Sequence, residues 1–179
     1  MDWNVVITVQ EHGFKKAREF LYEFGKVSKT DFFNVLIMQV DDIDRFLDDV
    51  RVAISVSPNI VNILARIMPV THTFVFQSPQ QFEERAKAIV AEWIPVLSSK
   101  RFHVRMHRRG FKGRMSSQDE EIFLDRFIID SLEEQSKPAA SIDFEDPDYI
   151  IAVDTIGQKA GLSIWTREQL HRYPFLKMD

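Results

Sequence analysis

A chain of 179 residues, 45% of them hydrophobic and 12% aromatic, can bury one ordinary core or two small ones and is too apolar to be disordered. It contains no cysteine, which excludes disulfides, thiolate-held metals, iron–sulfur clusters and a cysteine nucleophile. The net charge of −4 speaks against nucleic acid only as an average, because the charges are unevenly distributed.

Met1-Asp2-Trp3-Asn4 lacks the basic stretch and apolar run of a signal peptide, and the longest apolar runs fall far short of the roughly 20 residues that span a bilayer. These features predict a soluble, cytoplasmic protein without a membrane partner. Trp3 to Val9, rich in β-branched residues, reads as a strand. Gly13 to Phe24 follows with Phe14, Ala17, Phe20, Leu21 and Phe24 at helical spacing, and Gly25 as a stop. Phe32 to Val40 is a second strand. Asp42 is placed to cap a helix that carries Phe46, Leu47 and Val50, and Pro58 interrupts its pattern. A third strand is expected from about Ile67 to Phe76. Strand, helix, strand, helix, strand over residues 1–77 predicts a ferredoxin-like α/β sandwich with its helices on one face of an antiparallel sheet. His12 and His72 are isolated and read as surface or edge residues.

Gln77-Ser78-Pro79 marks a boundary, with Ser78 as N-cap and Pro79 in the first helical position. The helix should reach Trp93 and bury Phe82, Ala86, Ile89, Val90 and Trp93, with Pro95 ending or kinking it. From Trp93 to Gln118 there is no acid, but there are seven cations: Lys100, Arg101, Arg105, Arg108, Arg109, Lys112 and Arg114. Without those seven the rest of the chain carries −11 (−4 minus +7). An acidic body with one cationic segment points to an anionic partner. Within that segment, strand alternation puts Phe102, Val104 and Met106 on one face and His103, Arg105, His107 and Arg109 on the other. Gly110 to Arg114 then reads as a flexible loop. Ser117-Gln118-Asp119-Glu120 reads as a capping box opening a helix to about Glu134, with Ile122, Phe123, Phe127 and Ile128 inward. Ser136 to Ala139 is a linker. Residues 148–155 and 159–165 form a hairpin about Ile156-Gly157-Gln158, and a short helix, 167–173, closes the chain.

The second half resembles the THUMP domain of tRNA-modifying proteins, which include 4-thiouridine synthetases, certain RNA methyltransferases and the adaptor for tRNA cytidine acetylation. The likeness rests on Phe102-His103-Val104-Arg105, Arg108-Arg109-Gly110, the Ser117-led helix, the run Ile142 to Asp148, Tyr149 to Val153, and Ala160 to Ile164. It covers residues 78–179, and such domains typically follow a ferredoxin-like domain, as here over 1–77. The resemblance implies an α+β protein, a ferredoxin-like sandwich followed by an α/β THUMP domain, that binds the tRNA acceptor region. It places RNA contacts at Arg105, Arg108, Arg109, Lys112 and Arg114, with Lys159 a further candidate and His103 and His107 adding hydrogen bonds.

No phosphate loop of the GxxxxGK[ST] form and no GxGxxG fingerprint occurs. His103 and His107 would lie about 13 Å apart on a strand, too far for one metal ion. The cluster Asp143, Glu145, Asp146 and Asp148 could hold a divalent ion or act as paired carboxylates, but Pro147 makes a turn the simpler reading. The expectation is therefore a non-catalytic tRNA-binding adaptor without cofactor, serving a separate modifying enzyme such as a cytidine acetyltransferase. The alternative is a protein-interaction or ligand-sensing module whose basic segment docks an acidic partner.

Overall fold

The structure, a computed structural model, describes residues 2–178. It divides into two compact units, residues 2–70 together with Leu170–Lys177, and Thr71–Gln169. No helix among the described residues is long and apolar enough to cross a membrane.

The first unit runs β1 (Val5–Val9), α1 (Phe14–Leu21), β2 (Lys26–Lys29), β3 (Val35–Gln39), α2 (Ile43–Val56) and β4 (Leu64–Pro69). Its sheet has the order β2-β3-β1-β4 and is antiparallel throughout, the ferredoxin-like arrangement. Strand β2 is the element that the sequence pattern does not reveal. Lys-Val-Ser-Lys holds one apolar residue, and an edge strand guarded by lysines needs no alternation. Strand β1 lies centrally, and Val5, Val6 and Ile7 in succession are fully buried, so both of its faces are covered. The Asp42 carboxylate accepts the Arg45 N–H at 3.0 Å and caps α2. Pro58 opens a 3-10 turn that separates α2 from β4. Phe24 makes edge-on contacts with Phe20 at 5.2 Å and Phe46 at 6.1 Å, which ties α1 to α2.

The end of the chain completes this unit. Leu176 is fully buried, with Tyr173 and Phe175 nearly so. The Tyr173 hydroxyl donates to Asp48 on α2 at 2.8 Å, and the Arg172 guanidinium donates to the same oxygen at 3.0 Å. The Tyr173 hydrogen bond is the main reason that Asp48 sits below the usual carboxylate range. Arg66 donates to the Lys177 carbonyl at 2.8 Å.

The second unit runs β5 (His72–Val75), α3 (Pro79–Ala91), α4 (Ile94–Leu97), β6 (Arg101–His107), α5 (Ser117–Glu134), β7 (Ser141–Ile142), β8 (Tyr149–Ile156) and β9 (Lys159–Thr166), after which α6 (Arg167–Arg172) begins. The sheet order is β5-β9-β8-β6-β7, with β6 parallel to β7 and β8, and β9 antiparallel to β8 and β5. The single strand expected over 67–76 is thus two strands in two sheets: β4 pairs with β1, and β5 with β9. Ser78 caps α3, its hydroxyl accepting the Gln81 N–H at 3.2 Å. That punctuation starts a helix without separating the sheets, since β5 precedes it. Phe76, Phe82 and Phe102 are fully buried and form the centre of the core with Leu97, Ile151 and Val153.

Helix α5 is turned relative to the sequence expectation. Leu124, Ile128 and Leu132 face the core, Phe123 and Phe127 are half-buried, and Ile122 is 41% exposed. Its cap is Ser116, whose hydroxyl accepts the Asp119 N–H at 3.3 Å, one residue earlier than the Ser117 capping box. The reason lies at the sheet edge. β7 pairs only with Arg101 and Phe102 of β6, so the rest of that edge is unpaired by strand. The Asp125 carboxylate meets the Val104 N–H there, and the Glu121 carboxylate the Met106 N–H. These carboxylates cover the edge as a strand would. Burial, with Glu121 adjacent, pushes Asp125 up to about 7, and burial with Glu83 adjacent pushes Glu120 up to about 8.

Leu176→Ala should cost about 2–5 kcal/mol in urea unfolding, although it lies near the chain end; a loss below about 0.5 kcal/mol would mean that the tail is not docked. The buried acids keep their protons in the folded state where the unfolded chain has lost them, so their contribution is complete below about pH 4 and declines as the pH rises towards 8. Asp125→Asn should therefore raise the thermal midpoint at pH 8 and leave it nearly unchanged at pH 3. An equal shift at both pH values would refute the buried acid.

Candidate nucleic-acid interface

Alternation along β6 holds: Phe102, Val104 and Met106 enter the core, and His103, Arg105 and His107 take the opposite face. Beside them β8 sets Ile150, Ala152 and Asp154 in register. This second face is not a solvated cationic strip. His103, Ala152, Asp154, Ser163 and Trp165 are buried on it. The His103 imidazole lies 5.4 Å from the Phe144 ring, and burial lowers its pKa, so it is neutral at pH 7.

At the end of β6, Arg109 is 14% exposed and reaches Asp154, which has no exposure, at 3.0 Å. The backbone is fixed at the same point. The Arg109 N–H donates to the Thr155 hydroxyl at 2.9 Å, and the Gly157 N–H donates to the Arg109 carbonyl at 2.8 Å. Gly110 has φ +100°, and a side chain there would stand 2.9 Å from the Gly157 Cα, so only glycine permits this approach to the β8–β9 turn. The following loop, expected to be flexible, is anchored. The Phe111 ring lies 4.9 Å from that of Phe76, and Met115 is buried. The Arg114 N–H donates to the Phe111 carbonyl at 2.9 Å, and the Arg114 guanidinium covers the Phe111 ring at 4.7 Å. Arg108 donates to the Gly110 carbonyl.

The seven cations therefore divide. Arg101 is held by Asp146 at 3.3 Å and Asp148 at 3.6 Å, with Asp143 at 3.8 Å. Arg105 lies close enough to Glu121 to lower that carboxyl against the larger effect of burial. Arg109 is paired with Asp154. Lys100, Arg108, Lys112 and Arg114 carry no ion pair among the described residues, and Lys100 lies exposed ahead of β6. Arg108 and Arg114 line a cleft with Ser116, Ser117, Gln118 and one acid, Asp119, at the N-terminus of α5. Lys159 begins β9 beside the β8–β9 turn and is half-buried, as is His107.

The acidic cluster of 143–148 is a structural network. The Asp143 carboxylate accepts the N–H groups of Glu145 at 2.9 Å and Asp146 at 3.0 Å, and these bonds hold its pKa below the usual range. Arg167 completes the network with Asp146 at 2.8 Å and Asp148 at 3.1 Å. Sequence reading missed the role of Arg167 and the buried charge of Asp154; an acid inside the apolar run Tyr149 to Ile156 was the available signal for the latter.

No family model and no curated protein matches the sequence. Solved structures match in fold. PH1313 from Pyrococcus horikoshii is 13% identical with a TM-score of 0.58, over 92% of this chain and 55% of its own. A 4-thiouridine synthetase, solved as an RNA complex with bound ATP, is 13% identical with a TM-score of 0.51, over 92% of this chain and 42% of its own. A predicted N6-adenine-specific DNA methylase from Listeria monocytogenes is 13% identical with a TM-score of 0.53, over 90% and 40%. The chain thus spans about half of the first protein and about two fifths of the others. Proteins that share this fold over part of their length include a synthetase and a methylase, and the expectation that this protein is not an enzyme is withdrawn on that finding. What the likeness shows is the fold, an α+β, THUMP-like arrangement.

Proposed function

We propose that this chain is an RNA-binding module that takes the acceptor region of tRNA and presents it to a modifying active site outside these residues, on another domain or on a separate enzyme. The observation that carries the reading is the loop after β6. It is pinned to the β8–β9 turn and to the core, and it carries exposed Lys112 and Arg114 and half-buried Arg108, none of them in an ion pair among the described residues. Fixed cations on an ordered backbone bind phosphate with little ordering cost, and they set register without reading sequence. The fold shared with a synthetase solved as an RNA complex supports the same direction.

Within this proposal the candidate contacts have distinct roles. Arg108, Lys112 and Arg114 contact phosphate, with Arg105 and Lys159 at the margins of the same surface. Arg109 positions the loop through Asp154. His103, buried and neutral, supports the strand, and His107 stands beside it.

Binding of the chain to bulk tRNA at two salt concentrations tests the reading. Three phosphate contacts should give a log–log salt slope of about −2.7 from these residues. The combined R108E, K112E and R114E change should weaken binding at least tenfold and flatten the slope by about that amount. Salt-independent binding, or an unaffected triple variant, would sink the proposal. Arg109 should behave differently. Arg109→Ala removes the guanidinium from a buried carboxylate and should cost about 3 kcal/mol of stability. Adding Asp154→Ala should restore most of it; if Arg109→Ala weakens tRNA binding with stability intact, Arg109 contacts RNA directly.

A further inference from the structure

The first unit carries a second cationic surface. Lys15, Arg18 and Tyr22 follow at i, i+3 and i+7 along α1 and so share one face. A cleft between this helix and β2 is lined by Phe14, Lys15, Arg18, Tyr22, Val27 and Lys29, with Glu19 as its one acid. Lys29 stands over the Phe14 ring at 5.6 Å. Tyr22 is 79% exposed. Lys15, Arg18 and Lys29 make no ion pair among the described residues.

Edge-strand protection explains lysines on β2. It does not explain Lys15 and Arg18, which lie on the helix, or a tyrosine ring left open among them. One exposed ring is ordinary, and so is a solvated lysine. A ring at helical spacing from two cations, with a third cation on the opposite wall of the same cleft, is the combination that holds single-stranded nucleic acid: cations for the phosphates and a flat face for a base. An acidic polypeptide would satisfy the cations but gives no reason for the open Tyr22 face.

We infer that the α1–β2 cleft binds an unpaired RNA segment, with Lys15, Arg18 and Lys29 on its phosphates and a base stacked on Tyr22. The inference rests on the RNA-binding reading above and assigns a second contact to it. The face from Lys15 to Tyr22 extends about 10 Å along the helix, enough for a short stretch of strand rather than a duplex groove. The site prefers unpaired to paired RNA, because stacking on Tyr22 requires an open base.

The test is fluorescence anisotropy of the full chain with a labelled unpaired RNA oligonucleotide and with a hairpin duplex, across a salt series. The K15Q, R18Q and K29Q triple variant, whose side chains are all exposed, should weaken binding of the unpaired strand at least tenfold and flatten its log–log salt slope by about 2. Tyr22→Ala should weaken it by about fivefold or more with the slope unchanged, since stacking releases no counterions. If both variants bind the unpaired strand as the parent does while the Arg108, Lys112 and Arg114 variant does not, the α1–β2 site is overturned and the RNA-binding reading stands. If the parent chain binds neither RNA, both fall. If the triple variant loses only binding to poly-glutamate, the cleft is a protein site and the inference is overturned.

Discussion

Asp154 is a carboxylate without solvent exposure in the middle of a sheet, and the basic end of the second unit is organised by the need to compensate it. A buried charge is tolerated only when it is paired. Arg109 supplies the pair, and to reach it the chain must leave β6 at a fixed angle. Thr155, next to Asp154, takes the Arg109 backbone, and Gly157 takes its carbonyl. One charge requirement thus fixes the path of the loop that carries Arg108, Lys112 and Arg114. The outward cations owe their placement to an inward one.

The opposite edge of β6 shows the same economy with signs reversed. There the unpaired backbone donors of Val104 and Met106 are met by carboxylates from α5. Acids near a basic strand would ordinarily weaken its field. These ones lie along the strand edge, two residues of backbone away from the loop, and burial raises Asp125 to about 7, so it carries only part of its charge at neutral pH. Arg105 faces Glu121 and loses part of its field, whereas Arg108, Lys112 and Arg114 make no ion pair among the described residues, with Asp119 the one acid lining the cleft of Arg108 and Arg114. A chain with net charge −4 can in this way present a cationic surface to an anionic ligand.

The acid-rich remainder is also used. Arg101 and Arg167 join the acids of 143–148 into one network that fixes the start of β8 and the entry to α6. In the first unit, Asp48 receives both Tyr173 and Arg172 and so anchors the end of the chain. Asp143, Asp146 and Asp148, part of the metal or catalytic candidate in the sequence, are engaged by arginines, and hydrogen bonds from backbone N–H groups hold Asp143 and Asp148 below the usual carboxylate range.

Much of this was legible in the sequence because it is local. Ser78 and Asp42 cap the helices expected of them, β6 alternates as its residues require, and Gly157 makes the hairpin turn with φ +61°. The cationic segment was visible by counting. What the sequence could not yield depends on contacts between distant residues. Strand β2 exists because β3 offers it an edge, and β5 belongs with β9 although it adjoins β4 in the chain. The face of α5 was misjudged by apolar periodicity because two of its acids are recruited to a sheet edge that forms only on folding. The seven cations were equal as sequence; burial and distance alone decided that Arg101 and Arg109 would be paired and that Lys112 and Arg114 would be left exposed. Periodicity and capping are set within a few residues and can be read from them, whereas the compensation of charge depends on which groups folding brings within a few ångströms.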